Sequence, residues 1–435
     1  MTHRLDSWDG GTVCVVIPGA GGAVTGASLP RTAPGTSSWR LSAGRSFTAI
    51  AAVYVLFMTA SSAPSPLYVV YQREWGFSAT TLTVVFAVYV LGLLGALLVL
   101  GGLSDYVGRR PLLAASIALE AASLVLFITA NGVPMLLTAR LVQGVATGIA
   151  LTTLGATLVD LNPPQAPGRA GTVNSVVPAA GLALGALGCG ALVQFAPAPT
   201  RLVWALLLGG MALAAVVVAV IPDAAVRRPG ALASLAPRLG VPAPIRPEFY
   251  ALVPIMLASW ALGGLYLALG PSVAAGLFGL TNHLVGGLVV TLLCGPGAIT
   301  AFALRNRPAP RLVVPGAVLL AAGTAVALGG VLAHSTALSG AGTALAGVGF
   351  GISSLATFGT LGRLAAPAQR SELFAVAFVI SYLAFSLPAV AAGIASTDAG
   401  LRPTSIVYAV VVIVLSLAAV AAQRLRAVRA GEAAS

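Results

Sequence analysis

The stretch GGLSDYVGRRPLL, Gly101 to Leu113, is a short polar hinge between two long apolar runs. Thr81 to Leu100 before it is almost wholly apolar, and a second run starts at Leu112, interrupted by Glu120. A helix needs about 20 predominantly apolar residues to cross a bilayer, so the hinge reads as a tight turn at a membrane face. Its residues fit that place. Gly108 supplies the left-handed conformation that stops a helix. Arg109 and Arg110 hold the turn at the cytoplasmic surface. Pro111 can open the next helix, where its missing N–H costs nothing. Asp105 can pair with these arginines or with the N-terminus of another helix.

Gly101, Leu103, Ser104, Asp105, Gly108, Arg109, Arg110 and Leu113 together resemble the signature of the major facilitator superfamily. That pattern, Gly-x-Leu-(Ala/Ser)-Asp-x-x-Gly-Arg-(Arg/Lys)-x-x-Leu, marks the cytoplasmic loop after the second helix, and the match is complete in types and spacing. A generic basic turn with an acid beside it is the alternative. The resemblance implies an all-α membrane protein of twelve transmembrane helices in two six-helix pseudo-repeat halves. It also implies a latch role for Gly101, Asp105, Gly108, Arg109 and Arg110. In the family the acid and first arginine hold the two halves together when the cavity faces outward. Here the partner would be the start of the eleventh helix, at Arg370, Ser371 and Glu372.

Composition agrees. The chain has 435 residues, 58% hydrophobic and 8% charged, with a mean hydropathy of +0.98, whereas ordinary soluble domains carry about 25% charged residues. The net charge of +12 comes from arginine alone, without a lysine. When the runs are traced as helices, every arginine except Arg73, Arg140, Arg201 and Arg402 falls on the side of the chain termini. The positive-inside rule makes that side cytoplasmic, so the basicity reports topology and gives no reason to expect nucleic acid. A multi-pass protein of the cell membrane is expected, with both termini inside. Cys14, Cys189 and Cys294 have no metal-ligand spacing, and neither a metal nor a cofactor is expected. ATP drive through a Walker loop is excluded, because that loop needs a lysine.

Along the chain, residues 1–44 are rich in Gly, Ser, Thr, Pro and Arg and read as a disordered cytoplasmic tail. Residues 45–221 form a first six-helix bundle and 248–423 a second, followed by a cytoplasmic tail, 424–435. The stretch 222–247 between them, with Arg227, Arg228, Arg238 and Arg246, reads as a cytoplasmic linker with a short surface helix near Ala231 to Leu239. The halves look related. WGFS at Trp75 to Ser78 returns 203 positions on as FGLT at Phe278 to Thr281. Gly144-Val145 and Gly148-Ile149 return at the same offset as Gly347-Val348 and Gly351-Ile352. Two related bundles suit a rocking transporter with its site between them at mid-membrane.

Candidate residues follow from depth. Arg140, Gln143, Gly144 and Gly148 resemble a second superfamily pattern, Arg-x-x-Gln-Gly. Arg140 lies about 10 Å inside its span by helical rise, where a charge is costly unless it serves a cavity or a partner. Glu120 is the one acid well inside a span. It lies near the depth of Arg140 on the neighbouring antiparallel helix, so a pair is possible, although the family's third helix is usually peripheral. These two are the candidate proton-coupling or charge site, and structural roles are the alternative for both. Thr59, Ser61 and Ser62, beside Pro64 and Pro66, join Gln143, Thr147, Ser259, Trp260, Tyr266, Tyr382 and Phe385 as candidate substrate-cavity residues. Hydroxyls on membrane helices also serve as interhelical bonds.

The sequence departs from drug antiporters of the family in two ways. The glycine-rich fifth span has Pro178 but no Gly-Pro dipeptide, and the first span has no acid before Glu74. The expected function is proton-coupled efflux of small amphipathic compounds by a monomer in the lipid bilayer. The alternatives are import of a sugar or metabolite, and a non-transporting sensor or assembly factor. No catalytic set suggests an enzyme.

Overall fold

The computed structural model describes residues 42–163, 165–166, 168–221, 230–237, 239–366 and 369–432. Most of the expected N-terminal tail and the linker positions Arg227, Arg228 and Arg238 lie outside these residues. Among the described residues the chain is helical without strands. Twelve helices are long and apolar enough to cross a membrane. They are α1 (Gly44–Trp75), α2 (Ala79–Leu100), α3 (Arg109–Thr129), α4 (Val133–Asp160), α5 (Arg169–Phe195) and α6 (Leu202–Val220). The second set is α7 (Ala243–Ala268), α8 (His283–Ala303), α9 (Ala309–Leu332), α10 (Thr336–Leu364), α11 (Arg370–Asp398) and α12 (Leu401–Val428). In lipid every backbone polar group must find its partner within the protein, which is why nearly all of this chain is helix.

Local chemistry marks the ends. Ser78, Asn282 and Ser335 cap α2, α8 and α10 by accepting from Thr81 N, Leu284 N and Leu338 N. Gly76 and Gly279 each take a left-handed conformation at φ +66° and end the first helical unit of each half. Both of those units are broken in the same region. Ala63 separates Ala43–Ser62 from Pro64–Trp75, and Leu269 separates Arg246–Ala268 from Gly270–Phe278, with a proline in the first turns after each break.

The 203-residue offset is visible in the packing. Gly144 and Gly148 on α4 lie so close to α2 that an added methyl would strike the carbonyls of Tyr89 and Leu93. Gly347 and Gly351 on α10 meet the carbonyls of Leu293 and Gly297 on α8 in the same way. The repeat is therefore a shared helix-crossing skeleton as well as a run of similar letters.

The twelve helices leave both chain ends at one membrane face, here the terminal face; the other is the far face. The hydrogen bonds between halves among the described residues join far-half or mid-depth groups. Ser65 donates to Leu267 O at 2.5 Å, and Thr80 meets Gly393 O and Thr397 Oγ1 at 3.3 and 3.0 Å. Gln194 Oε1 accepts from His283 N at 3.0 Å, and Thr291 Oγ1 donates to Ala183 O at 3.0 Å. Close backbone seams support them: Gly287 on α8 abuts Ala186 on α5, and Gly393 on α11 abuts Thr83 on α2. Among the described residues, the hydrogen bonds that join the halves therefore lie toward the far face.

The ends differ from the sequence-based expectation in two places. The final helix runs on to Glu432, so residues 424–432, expected as a tail, are helical. Arg426 there pairs with Glu248 at 2.7 Å, and Gln423 donates to Ala251 O at 3.2 Å, docking the extension on α7. Within the linker, Ala231–Leu235 is a single 3-10 turn. It lies beside the hinge, with Ser234 near Gly102.

Candidate functional site

The hinge is tied within its own half. Arg109 pairs with Asp105 at 2.6 Å and with Asp160, at the end of α4, at 3.0 Å; it also bonds to Ser104 Oγ. Arg110 donates to the carbonyls of Val218 and Ala219 at the end of α6. Gly108, at φ +108°, makes the bend between Ser104–Val107 and α3. Gly101 is packed against Leu97 and Thr152. The expected bond from Asp105 to the start of α11 is absent among the described residues. Asp105 pairs with its i+4 neighbour Arg109 instead.

Deeper in the first half, one polar network crosses three helices. Pro64 has no N–H, so the Ala60 carbonyl loses its helical donor, and Gln143 Nε2 supplies one from α4 at 3.1 Å. The same amide donates to Glu120 Oε1 on α3 at 3.0 Å. Its oxygen accepts from Arg140 Nη1 at 2.6 Å, and Arg140 also reaches the Ser61 carbonyl at 3.4 Å. The guanidinium lies over the Tyr89 ring, 4.1 Å from its centre. Arg140 is 1% exposed, and Glu120 and Gln143 are fully buried.

The direct Glu120–Arg140 pair considered from the sequence does not form. Gln143 stands between acid and base and bonds to both. Glu120 Oε2, Arg140 Nε and the Tyr68 hydroxyl are left without hydrogen-bond partners. An amide that donates to the acid and accepts from the guanidinium leaves these three buried atoms as the network's open positions, each costly to keep unpaired.

The second half presents aromatic rings. Phe374, Phe378, Tyr382 and Phe385 recur at helical spacing on α11 and rise about 16 Å by helix geometry. Phe374 and Phe378 are 6.2 Å apart between ring centres, as are Phe378 and Tyr382. Trp260 on α7 stands edge-on to Tyr382 at 5.0 Å and to Phe385 at 5.7 Å, and Phe358 on α10 closes the stack. The ladder starts at the terminal face and ends where Phe385 meets Phe86 of the first half at 5.1 Å. That contact joins the two halves at mid-depth. Tyr382 lies near Tyr89 and Tyr54, so the ladder and the network approach each other at mid-depth.

The other expected cavity residues bond mainly to backbone. Thr59 Oγ1 bonds to Gly181 O on α5; Ser61, Ser62, Thr147 and Ser259 all donate to carbonyls of their own helices. Ser61 and Thr147 also meet the Tyr89 hydroxyl. Tyr266, six positions beyond Trp260 and so on another helix face, bonds to Thr343 at 2.7 Å. Tyr89, Phe358, Phe374 and Phe378 were not singled out from the sequence, although the four-residue recurrence of aromatics on α11 could have revealed the ladder. Among the described residues no group of acids, histidines and cysteines could hold a metal ion.

Two related six-helix halves with a polar network facing an aromatic wall between them make up the architecture of a secondary transporter. The model of the Major Facilitator Superfamily matches residues 50–389, and the chain belongs to that superfamily. Solved transporters share the fold. The human organic anion transporter MFSD10 (TETRAN) is 16% identical, with a TM-score of 0.64 over 87% of this chain and 100% of its own. A bacterial homolog of the human lysosomal transporter Spinster, inward-facing and unoccupied, is 13% identical, with a TM-score of 0.68 over 90% of this chain and 98% of its own. Its occupied form is 14% identical, with a TM-score of 0.68 over 88% and 97%. No curated protein sequence matches the chain.

Proposed function

We propose that this superfamily transporter exports small amphipathic compounds by alternating access, driven by proton entry. The terminal face is the cytoplasmic one, where the arginines gather, and the chain acts as a monomer in the cell membrane. The observation that carries the reading is the aromatic ladder. It offers several rings, and the one acid well inside a span, Glu120, lies in the other half, so it favours apolar, ring-bearing cargo entering from the cytoplasm. A sugar site would need more amide and carboxylate groups at that depth. Glu120, with one free oxygen beside Gln143 and Arg140, is the assigned proton carrier. Arg140 couples its charge state to α1, whose broken helix it touches.

The test is a panel of aromatic amphiphiles, sugars and metabolites in proteoliposomes, with and without a pH gradient. Gradient-driven movement of ring-bearing compounds that Arg140→Ala abolishes, with insertion intact, is expected. Gradient-independent sugar uptake would replace this reading with an importer, and movement of nothing on the panel would favour a sensor.

A further inference from the structure

Comparing equivalent positions of the two halves isolates one anomaly. Carried 203 positions on, Tyr89, Glu120, Arg140 and Gln143 become Leu292, Gly323, Thr343 and Ala346. The framework at these positions is the same. Glu120 meets Gln143 across α3 and α4, and Gly323 abuts the Ala346 backbone across α9 and α10. In the first half the space is filled by a guanidinium, a carboxylate and an amide. In the second it holds small side chains, and a cavity of about 220 Å³ lies beside it, touching two of the four counterparts, Leu292 and Thr343. Leu262, Tyr266, Leu292, Leu328 and Thr343 line it, and it reaches the far face beside Phe278.

Size and polarity narrow the occupant. An apolar cavity of about 150 Å³ takes benzene, so this one has room for a single substituted ring. Thr343 donates its hydroxyl hydrogen to Ser339 O at 2.9 Å, so in the 2.7 Å contact with Tyr266 the tyrosine is the donor. Thr324 and Ser405 donate to Leu320 O and Leu401 O, each at 2.7 Å. The hydroxyl hydrogens of Tyr266, Thr324, Thr343 and Ser405 are spent, while their oxygens keep lone pairs; Thr336 and Ser339 also line the pocket. An apolar pocket with this surplus of acceptors suits a neutral ring that brings its own O–H.

We propose that this pocket is a binding site for a small neutral phenol, separate from the aromatic ladder. An occupant would brace Gly270–Phe278, whose Ser272 hydroxyl reaches Gln72 of the other half at 3.4 Å, and so favour the closed far face. This inference is independent of cargo and of proton coupling.

The full chain in phosphatidylcholine nanodiscs, photolabelled with para-azidophenol and mapped by peptide mass spectrometry, tests the site. Label is expected on segments 262–292 and 324–343, displaced by para-cresol at lower concentration than by toluene. Tyr266→Phe should reduce that preference about fivefold, the worth of one neutral hydrogen bond. Label on the Phe374–Phe385 ladder overturns the proposal. So does label that para-cresol fails to displace, as when a lipid acyl chain fills the pocket, and equal displacement by toluene removes the phenol assignment.

Discussion

Replacing Gln143 with leucine tests the polar network with little change in volume. The amide makes three bonds, to Arg140 at 2.6 Å, Glu120 at 3.0 Å and the Ala60 carbonyl at 3.1 Å. Leucine makes none, and Pro64 cannot restore the donor to Ala60. An uncompensated buried charge costs about 3–5 kcal/mol, and an orphaned buried carbonyl adds about 1–3 kcal/mol. Arg140 keeps the Ser61 carbonyl and the Tyr89 face, so the sum falls toward the low end, about 4 kcal/mol. Glu120→Gln in the leucine background removes the stranded carboxylate and should return about 2 kcal/mol, within the range of contacting pairs. Cys189 and Cys294 are free and buried, so in a Cys14→Ser background a thiol-reactive dye reads unfolding from the protein's own residues. The order of midpoints should be wild type, then the double variant, then Gln143→Leu. A Gln143→Leu midpoint equal to wild type, or effects that add to within about 0.5 kcal/mol, would show that the three residues act separately.

Asp105→Asn should fold normally, since a half-exposed pair is worth under about 1 kcal/mol. Losing a latch worth 1–2 kcal/mol would shift the two-state population about tenfold toward the terminal-face-open form. A cysteine at Thr152 reads this, and unchanged labelling from the cytoplasm would leave the hinge as a topological anchor. Gly287→Val drives a branched side chain into the Ala186 backbone of the other half. It should increase labelling of a cysteine at Gln194 from outside the cell, and unchanged labelling would mean that this seam does not hold the far face. Reporters in the Ala231–Leu235 turn should react from the cytoplasm alone; labelling in intact cells would reverse the topology.

The fold was legible because its physical causes are local and repeated. Apolar length, the Gly108-Arg109-Arg110 turn and the arginine bias each act over a few residues. The recurrence of Gly144 and Gly148 at Gly347 and Gly351 proved to be a packing rule: four small residues where helices cross at backbone contact. The site was legible in part. Depth, with the Arg-x-x-Gln-Gly resemblance, picked out Arg140, Gln143 and Glu120 as candidates, since buried polar groups must find partners. Depth could not tell that Gln143 would stand between the charges, because that depends on Pro64 freeing a carbonyl one helix away. The partners of the hydroxyls were not legible for a related reason. Ser61, Ser62 and Ser259 each donate to their own helix backbone, a choice that rotamers make and spacing does not record.

The two halves also separate what a rocking transporter must share from what it must not. Similar motion requires similar helix crossings, so Gly148→Ala and Gly351→Ala should cost similar stability, each forcing a methyl onto a facing carbonyl. Coupling requires asymmetry, because a charge placed identically in both halves would give neither half a distinct response to a proton. Here the charges lie in one half and the aromatic ladder in the other, meeting near Tyr89 and Tyr382. Under the proposed coupling, a proton arriving at Glu120 would act on the wall opposite the aromatic ladder, and α1, held by Gln143 and Arg140 at its break, is the element that would carry the change to the seam at Ser65 and Leu267.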